Sequence, residues 1–268
     1  MRRLLTGIVV TFAAGCAGIS TQQEVEMGQQ YAQQINSQLP LVQDAEVNRY
    51  VNVLGDSLAR VADTRGLEWR FYVVNSSEVN AFAVPGGFIY VNRGLIEQAQ
   101  NMSELAGVIG HEIGHVTHRH SIQQMEKQQG AQLGLSIGCV LAPNLCNNQL
   151  GATAINLGAN AVFAGFSRHD EAEADQAGVE YTTRAGIDPR GIPDMFRILL
   201  SERQRNPSKL EAWFATHPLE ESRIHDTEAT IAKISPAVLQ SLTKDSRAFH
   251  TMQSRLKSLP PAPQQASR

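Results

Sequence analysis

HEIGHVTHRH, from His111 to His120, carries four of the chain's eight histidines within ten residues. Upstream, Asn101 precedes Glu104 by three residues, the spacing of a capping box, so a helix is expected to start near Met102 and run through the motif. At about 100° per residue, His111 and His115 then lie about 40° apart and ~6 Å apart along the axis. Two imidazoles so placed reach one zinc ion at ~2.1 Å and leave its other positions free. Glu112 falls on the shoulder of that face, where a carboxylate touches a zinc-bound water. This is the H-E-x-x-H arrangement of zinc hydrolases. His120 projects about 180° from that face, and His118 lies ~10 Å beyond His111 along the axis. On a straight helix neither joins the site, and both are expected to serve packing or hydrogen bonding.

Two histidines leave the site open, so a third ligand is needed. The metzincin pattern puts a histidine six residues after His115, where this chain has Ser121. Further on stands SRHDEAEADQAG, residues 167–178. Ser167 and Asp170 form a second capping box, which starts a helix at Arg168 with Glu171 in its first turn or two. Asp175 follows Glu171 by four residues on the same face. A ligand Glu with an Asp one turn away suits a zinc site, whose histidines need orienting partners. The competing reading is a solvated acidic face, and the zinc helix upstream weighs against it.

The rest of the chain sets the frame. Its 268 residues, 42% hydrophobic and 18% charged, read as a globular chain with ample length for a core. The net charge of −3 argues against nucleic acid as a partner. Arg2 and Arg3 form the only basic cluster, and with the apolar run Leu4–Ala14 they look like an export signal, too short to span a bilayer. The run ends in Ala13, Ala14, Gly15 and Cys16, which resembles a bacterial lipoprotein box with Cys16 as the lipidated residue; an ordinary cleaved signal is the alternative. Ala17 after the cysteine favours the outer membrane by the same resemblance. Cys139 and Cys146 read as a disulfide closing a short loop, with two free buried thiols as the alternative.

Periodicity supplies the architecture. Helices are expected over 22–39 and 43–65, the second with Gly66 placed to end it. Trp69, Phe71 and Val73 alternate with Arg70 and Tyr72 as in a strand. VNAFAVPGGFIYVNRG, residues 79–94, looks like a hairpin turning at Pro85-Gly86-Gly87. From about residue 101 the pattern is helical nearly to the end, and the tail over 259–268 reads as disordered. The fold class is α+β: a mainly helical body with a small sheet and hairpin ahead of the zinc helix. The glycine- and alanine-rich stretch, roughly 130–166, is interrupted by Cys139, Pro143, Asn147 and Asn148, and is expected to form a buried helical hairpin covering the site.

HEIGH followed by Ser167-Arg168 and E-A-E-A-D resembles zinc metallopeptidase family forty-eight, whose members include the CaaX prenyl proteases and periplasmic lipoprotein proteases. The element S-R-x-x-E-x-x-A-D maps onto Ser167, Arg168, Glu171, Ala174 and Asp175; N-A-F-A with P-G-G maps onto Asn80–Gly87; H-P with a later R maps onto His217, Pro218 and Arg223. The resemblance covers residues 79–224. It implies a zincin-like fold, one zinc ion per chain, Glu171 rather than Glu173 as third ligand, and Asp175 behind the ligands. It also lifts His217 above a surface residue in a turn, as an oxyanion stabiliser or a resting ligand. The chain lacks the transmembrane helices of some branches and looks like the compact single-domain lipoprotein branch, with a peptidase domain over 16–258 after a signal over 1–15.

The implied chemistry is peptide hydrolysis, with Glu112 as general base and proton carrier. Asn80, Ala81 and Phe82 belong to a hairpin strand that can bind substrate as an added strand. The expected clients are unfolded or misassembled envelope proteins, met at a membrane to which the protein is anchored by its N-terminal lipid. A zinc-binding chaperone or assembly factor is the rival class. A deformylase is disfavoured, since it needs a cysteine ligand upstream of the motif and a cytosolic setting.

Overall fold

A computed structural model describes residues 18–128 and 165–261 of the chain. The export signal, Cys16, the pair Cys139 and Cys146, and nearly all of the 130–166 connection lie outside the described residues.

Local side-chain chemistry sets the first helices. Helix α1 (Thr21–Gln38) opens with a capping box between Ser20 and Gln23. Helix α2 (Ala45–Ala62) opens on Asp44, whose carboxylate accepts the amides of Glu46 and Val47. It buries Val47, Val51, Leu54 and Leu58 along one stripe. The helix stops before Gly66. Asp63 is its C-cap and accepts the amides of Arg65 and Leu67, so Gly66, at φ +71°, serves the turn into the sheet instead.

Asp44 carries a second load, because Arg255 donates to both its oxygens at 2.8 and 2.9 Å. That guanidinium, with the Val47 amide, lowers the Asp44 carboxyl from 3.8 to about 2. Its stabilising contribution is therefore full above the ordinary carboxylate value and lost as pH falls through about 2. Thermal unfolding of Asp44→Ala should begin at lower temperature than wild type at pH 7, and the difference should close as the pH approaches that value.

Strands β1 (Arg70–Val74), β2 (Ala81–Val84) and β3 (Phe88–Asn92) form one sheet in the order β1-β3-β2. β2 and β3 are the expected antiparallel hairpin, and Gly86 and Gly87 take φ values of +83° and +101° in its turn. β1 joins β3 in parallel, a pairing the hairpin signal does not announce. The strands alternate with period two. Phe71, Val73, Ala81, Ala83, Ile89 and Val91 enter the main core with α2, while Tyr72, Phe82 and Tyr90 stack on the opposite face under Met27, Tyr31 and Ile35 of α1. The sheet is thus covered on both sides.

A short helix, α3 (Arg93–Gln98), follows β3 and takes up Arg93 and Gly94, the last two residues of the expected hairpin stretch. Helix α4 (Met102–Thr117) starts at Asn101, whose side chain accepts the Glu104 amide. Glu104 turns its carboxylate to the Gln100 amide, one residue earlier than in a standard capping box. Every residue from Met102 to Val116 is buried, so α4 is the central helix of the body.

The straight-helix expectation fails at its end. His118 caps α4, Arg119 takes a left-handed φ of 59°, and a new helix, α5, runs over 120–128. Tertiary contacts hold that break. Arg119 donates to buried Glu24 at 2.7 Å and to the Ile19 carbonyl, while Arg65 donates to the same carboxylate and to the Val116 carbonyl.

Helix α6 (Arg168–Arg184) begins with the expected Ser167–Asp170 capping box. It packs on α4 through small residues on both sides. A Cβ on Gly114 would stand 3.1 Å from the Ala174 backbone, and one on Gly178 would stand 3.3 Å from the His111 nitrogen. This close approach lays the first turns of α6 over the H-E-x-x-H face. Helices α7 (Gly191–Arg205), α8 (Glu211–Thr216), α9 (Glu221–Ile231), α10 (Pro236–Ser241) and α11 (Arg247–Ser258) complete the body, with Trp213, Phe249 and Leu256 fully buried in the shared core. The α+β architecture is as expected. No helix among the described residues is long and apolar enough to cross a membrane.

Candidate metal centre

His111 and His115 project from α4, Glu171 descends from α6, and His217 arrives as the C-cap of α8; all four are buried. His111 Nε2 lies 3.0 Å from His115 Nε2 and 3.4 Å from His217 Nδ1. Glu171 Oε1 is 3.4 Å from His115 Nε2 and 3.0 Å from His217 Nδ1, and its Oε2 is 3.6 Å from His111 Nε2. Ligands ~2.1 Å from a tetrahedral ion stand ~3.4 Å from one another. The donor atoms therefore converge at the spacing a small divalent metal requires. Glu173 does not converge; it turns to His120 and His169.

Glu112, one residue after His111, is wholly buried beside this cluster, and neither of its carboxylate oxygens has a hydrogen bond. Burial raises its pKa, while the nearby charges of His217 and His111 oppose the rise. His217 Nε2 stands 3.4 Å from Glu112 Oε1, so His217 faces Glu112 with one nitrogen and Glu171 with the other. Burial works against a charged His217, but Glu171 and Glu112 outweigh it and raise its pKa. Burial likewise pushes Glu171 up, and His217 with the bond from His115 reverses this and holds its carboxyl well below the ordinary range.

A second layer orients these groups. Asp175 Oδ1 lies 2.9 Å from His111 Nδ1. Arg223 of α9 donates to both Asp175 oxygens at 2.8 and 2.7 Å and to the Pro218 carbonyl, and it stands 2.5 Å from Glu171 Oε2. One guanidinium thus ties the carboxylate, its orienting partner and the segment that carries His217. The His120 ring, turned inward by the break after α4, places Nδ1 2.9 Å from His115 Nδ1 and Nε2 3.2 Å from Glu173 Oε2. Phe166 stacks on His115 with ring centroids 3.9 Å apart, and Trp213 lies against His217 at 4.8 Å. Phe166 is the last residue of the stretch 130–166, whose expected helical hairpin lies outside the described residues.

β2 is an edge of the sheet. Asn80 leads into it, Ala81 is its first residue and is buried in the main core, and Phe82 stacks on Tyr90. Ala83, Val84 and Pro85 line one small cavity with His115 and Val116, so this edge runs beside the cluster. Sequence reasoning missed the approach of His120 and the double grip of Arg223. The first depends on the helix break, which no local motif signals; the second had only the H-P…R element as a sign.

A model of peptidase family M48 matches residues 45–231, from the start of α2 to the end of α9. The chain belongs to peptidase family M48. That match encloses every residue of the cluster and its orienting layer, so these residues stand in a metallopeptidase-family domain. Among relatives, the chain is 33% identical to the beta-barrel assembly-enhancing protease of Yersinia pestis, over 82% of this chain and 46% of that protein. It is 30% identical to metalloprotease YcaL of Escherichia coli (strain K12), over 66% of this chain and 70% of that protein. It is 35% identical to the mitochondrial metalloendopeptidase OMA1 of Arabidopsis thaliana, over 61% of this chain and 32% of that one. The chain spans about half the length of the beta-barrel assembly-enhancing proteases it matches.

Proposed function

We propose that this protein is a zinc-dependent endopeptidase of the bacterial cell envelope that degrades unfolded or unassembled envelope proteins. The observation that carries the reading is the convergence of His111, His115 and Glu171 at tetrahedral spacing beside a buried Glu112 whose oxygens make no hydrogen bond. Imidazole and carboxylate donors in a tetrahedral set suit zinc. When bound, zinc supplies a Lewis acid that polarises a carbonyl and acidifies water.

The chain's own residues do the rest. Glu112 takes a proton from the attacking water on its carboxylate and delivers it to the leaving nitrogen. Asp175, held by Arg223, keeps His111 in one tautomer and orientation. His217 stands where it can hold a developing negative charge on the carbonyl oxygen, or close the site as a fourth ligand at rest. β2, the edge strand that runs beside the cluster, is where an extended substrate would lie, held through backbone groups in a way that tolerates sequence. Such an edge selects chains that can straighten.

Location belongs to the same proposal. The likeness to beta-barrel assembly-enhancing proteases supports envelope clients. Cys16 would carry the lipid anchor after removal of residues 1–15, facing the peptidase unit of 16–258 into the periplasm from the outer membrane. Cys139 and Cys146 would pair there as a disulfide.

Cleavage of unfolded casein tests the activity. Wild type should degrade it, a chelator should stop the reaction, and one equivalent of zinc should restore it. Chelator-insensitive cleavage, or none by a zinc-loaded sample, would overturn the reading.

A further inference from the structure

On the far side of His115 from the converging donors, His118, His120 and Glu173 bring a second set of ligand atoms within 4.8 Å of one another. The three come from different elements: His118 caps α4, His120 begins α5, and Glu173 lies in the second turn of α6. His120 Nε2 and Glu173 Oε2 are 3.2 Å apart, close to the ~3.4 Å that separates ligands of one tetrahedral ion. The rings of His118 and His120 lie 25° from parallel with centroids 5.5 Å apart. His169, one turn before Glu173, adds an exposed nitrogen 3.7 Å from Glu173 Oε1. Nothing in the first cluster uses His118 or His169.

We propose that His118, His120 and Glu173 form a second, weaker zinc site, and that filling it inhibits the enzyme through His120. The site is open to solvent on the His169 side and buried on the His120 side, so an ion enters from outside and ends against the ring that supports His115.

The coupling rests on the reading that His115 binds its metal through Nε2. His115 then carries its one proton on Nδ1 and donates it to His120 Nδ1, 2.9 Å away. Neutral His120 in turn keeps its own proton on Nε2, facing Glu173. An ion on His120 Nε2 displaces that proton, which the ring then carries on Nδ1. Two N–H groups now face each other, so His115 loses its acceptor and its ring must move. Removing such support from a ligating histidine costs roughly 10–100-fold in metal affinity or activity. His120 can serve His115 or the second ion, and not both.

Zinc itself is the probe. The full chain is loaded with one equivalent, then given increasing free zinc while metal content and cleavage of a short peptide are followed. Wild type should take up a second equivalent as activity falls roughly tenfold or more. His118→Ala should keep its basal activity, lose the second equivalent, and need at least about tenfold more zinc for the same inhibition. Glu173→Gln, which keeps a hydrogen-bond acceptor for His120, should shift the inhibition the same way. A second equivalent and inhibition unchanged in both variants would overturn the site. A second equivalent lost with His118 but without effect on wild-type activity would overturn the coupling. Failure of the underlying metal assignment shows separately, as a wild type that retains no first equivalent; the His118-dependent uptake is then still read from metal content alone.

Discussion

Glu112→Gln is expected to hold one metal ion, to keep the wild-type fold, and to cleave peptides ~10²–10⁴ times more slowly. The amide matches the carboxylate in size, so the packing around this buried position is preserved. It cannot accept a proton, and no other carboxylate is placed to replace it: Glu171 is engaged by His115, His217 and Arg223, and Asp175 by His111 and Arg223. Near-normal proteolysis, measured beside metal content on the same sample, would dismiss Glu112 as the base. Retained protection of unfolded clients by the slow variant would favour the chaperone class instead.

Arg223→Met should be the most destabilising change in the orienting layer. Methionine keeps an unbranched apolar stem but no guanidinium, so two buried carboxylates, Asp175 and Glu171, lose their cation together. Breaking a buried pair from one side costs about 3–5 kcal/mol. The loss should appear as a lower urea midpoint in the metal-free protein, where no ion compensates the carboxylates. Metal should recover part of it, since an ion beside Glu171 replaces some of the missing positive charge. A metal-free urea midpoint equal to that of wild type would mean that Arg223 does not carry this load.

The same two residues separate what is legible in sequence from what is not. Glu112 could be picked out because its neighbours His111 and His115 lie on the same helix, where angle and rise follow from residue count alone. Arg223 lies 48 residues beyond Asp175, and only a family element marks it. His120 shows the reverse error. Counting along a straight helix sends it away from the site, whereas the break at Arg119 brings it to His115.

By itself, the sequence determined what short-range hydrogen bonds and periodicity control. Ser20, Asp44, Asn101 and Ser167 start their helices because a side-chain oxygen meets an amide two or three residues away. The glycines after Pro85 turn the hairpin because positive φ costs them little. Tertiary structure alone decided the parallel pairing of β1 with β3, the seating of Glu171 over His111 and His115, and the helix break that Glu24, Arg65 and Arg119 stabilise from three separate elements. Those contacts join residues 18 to 95 positions apart. They form only once the core has packed, and no local pattern encodes which partner each group will meet.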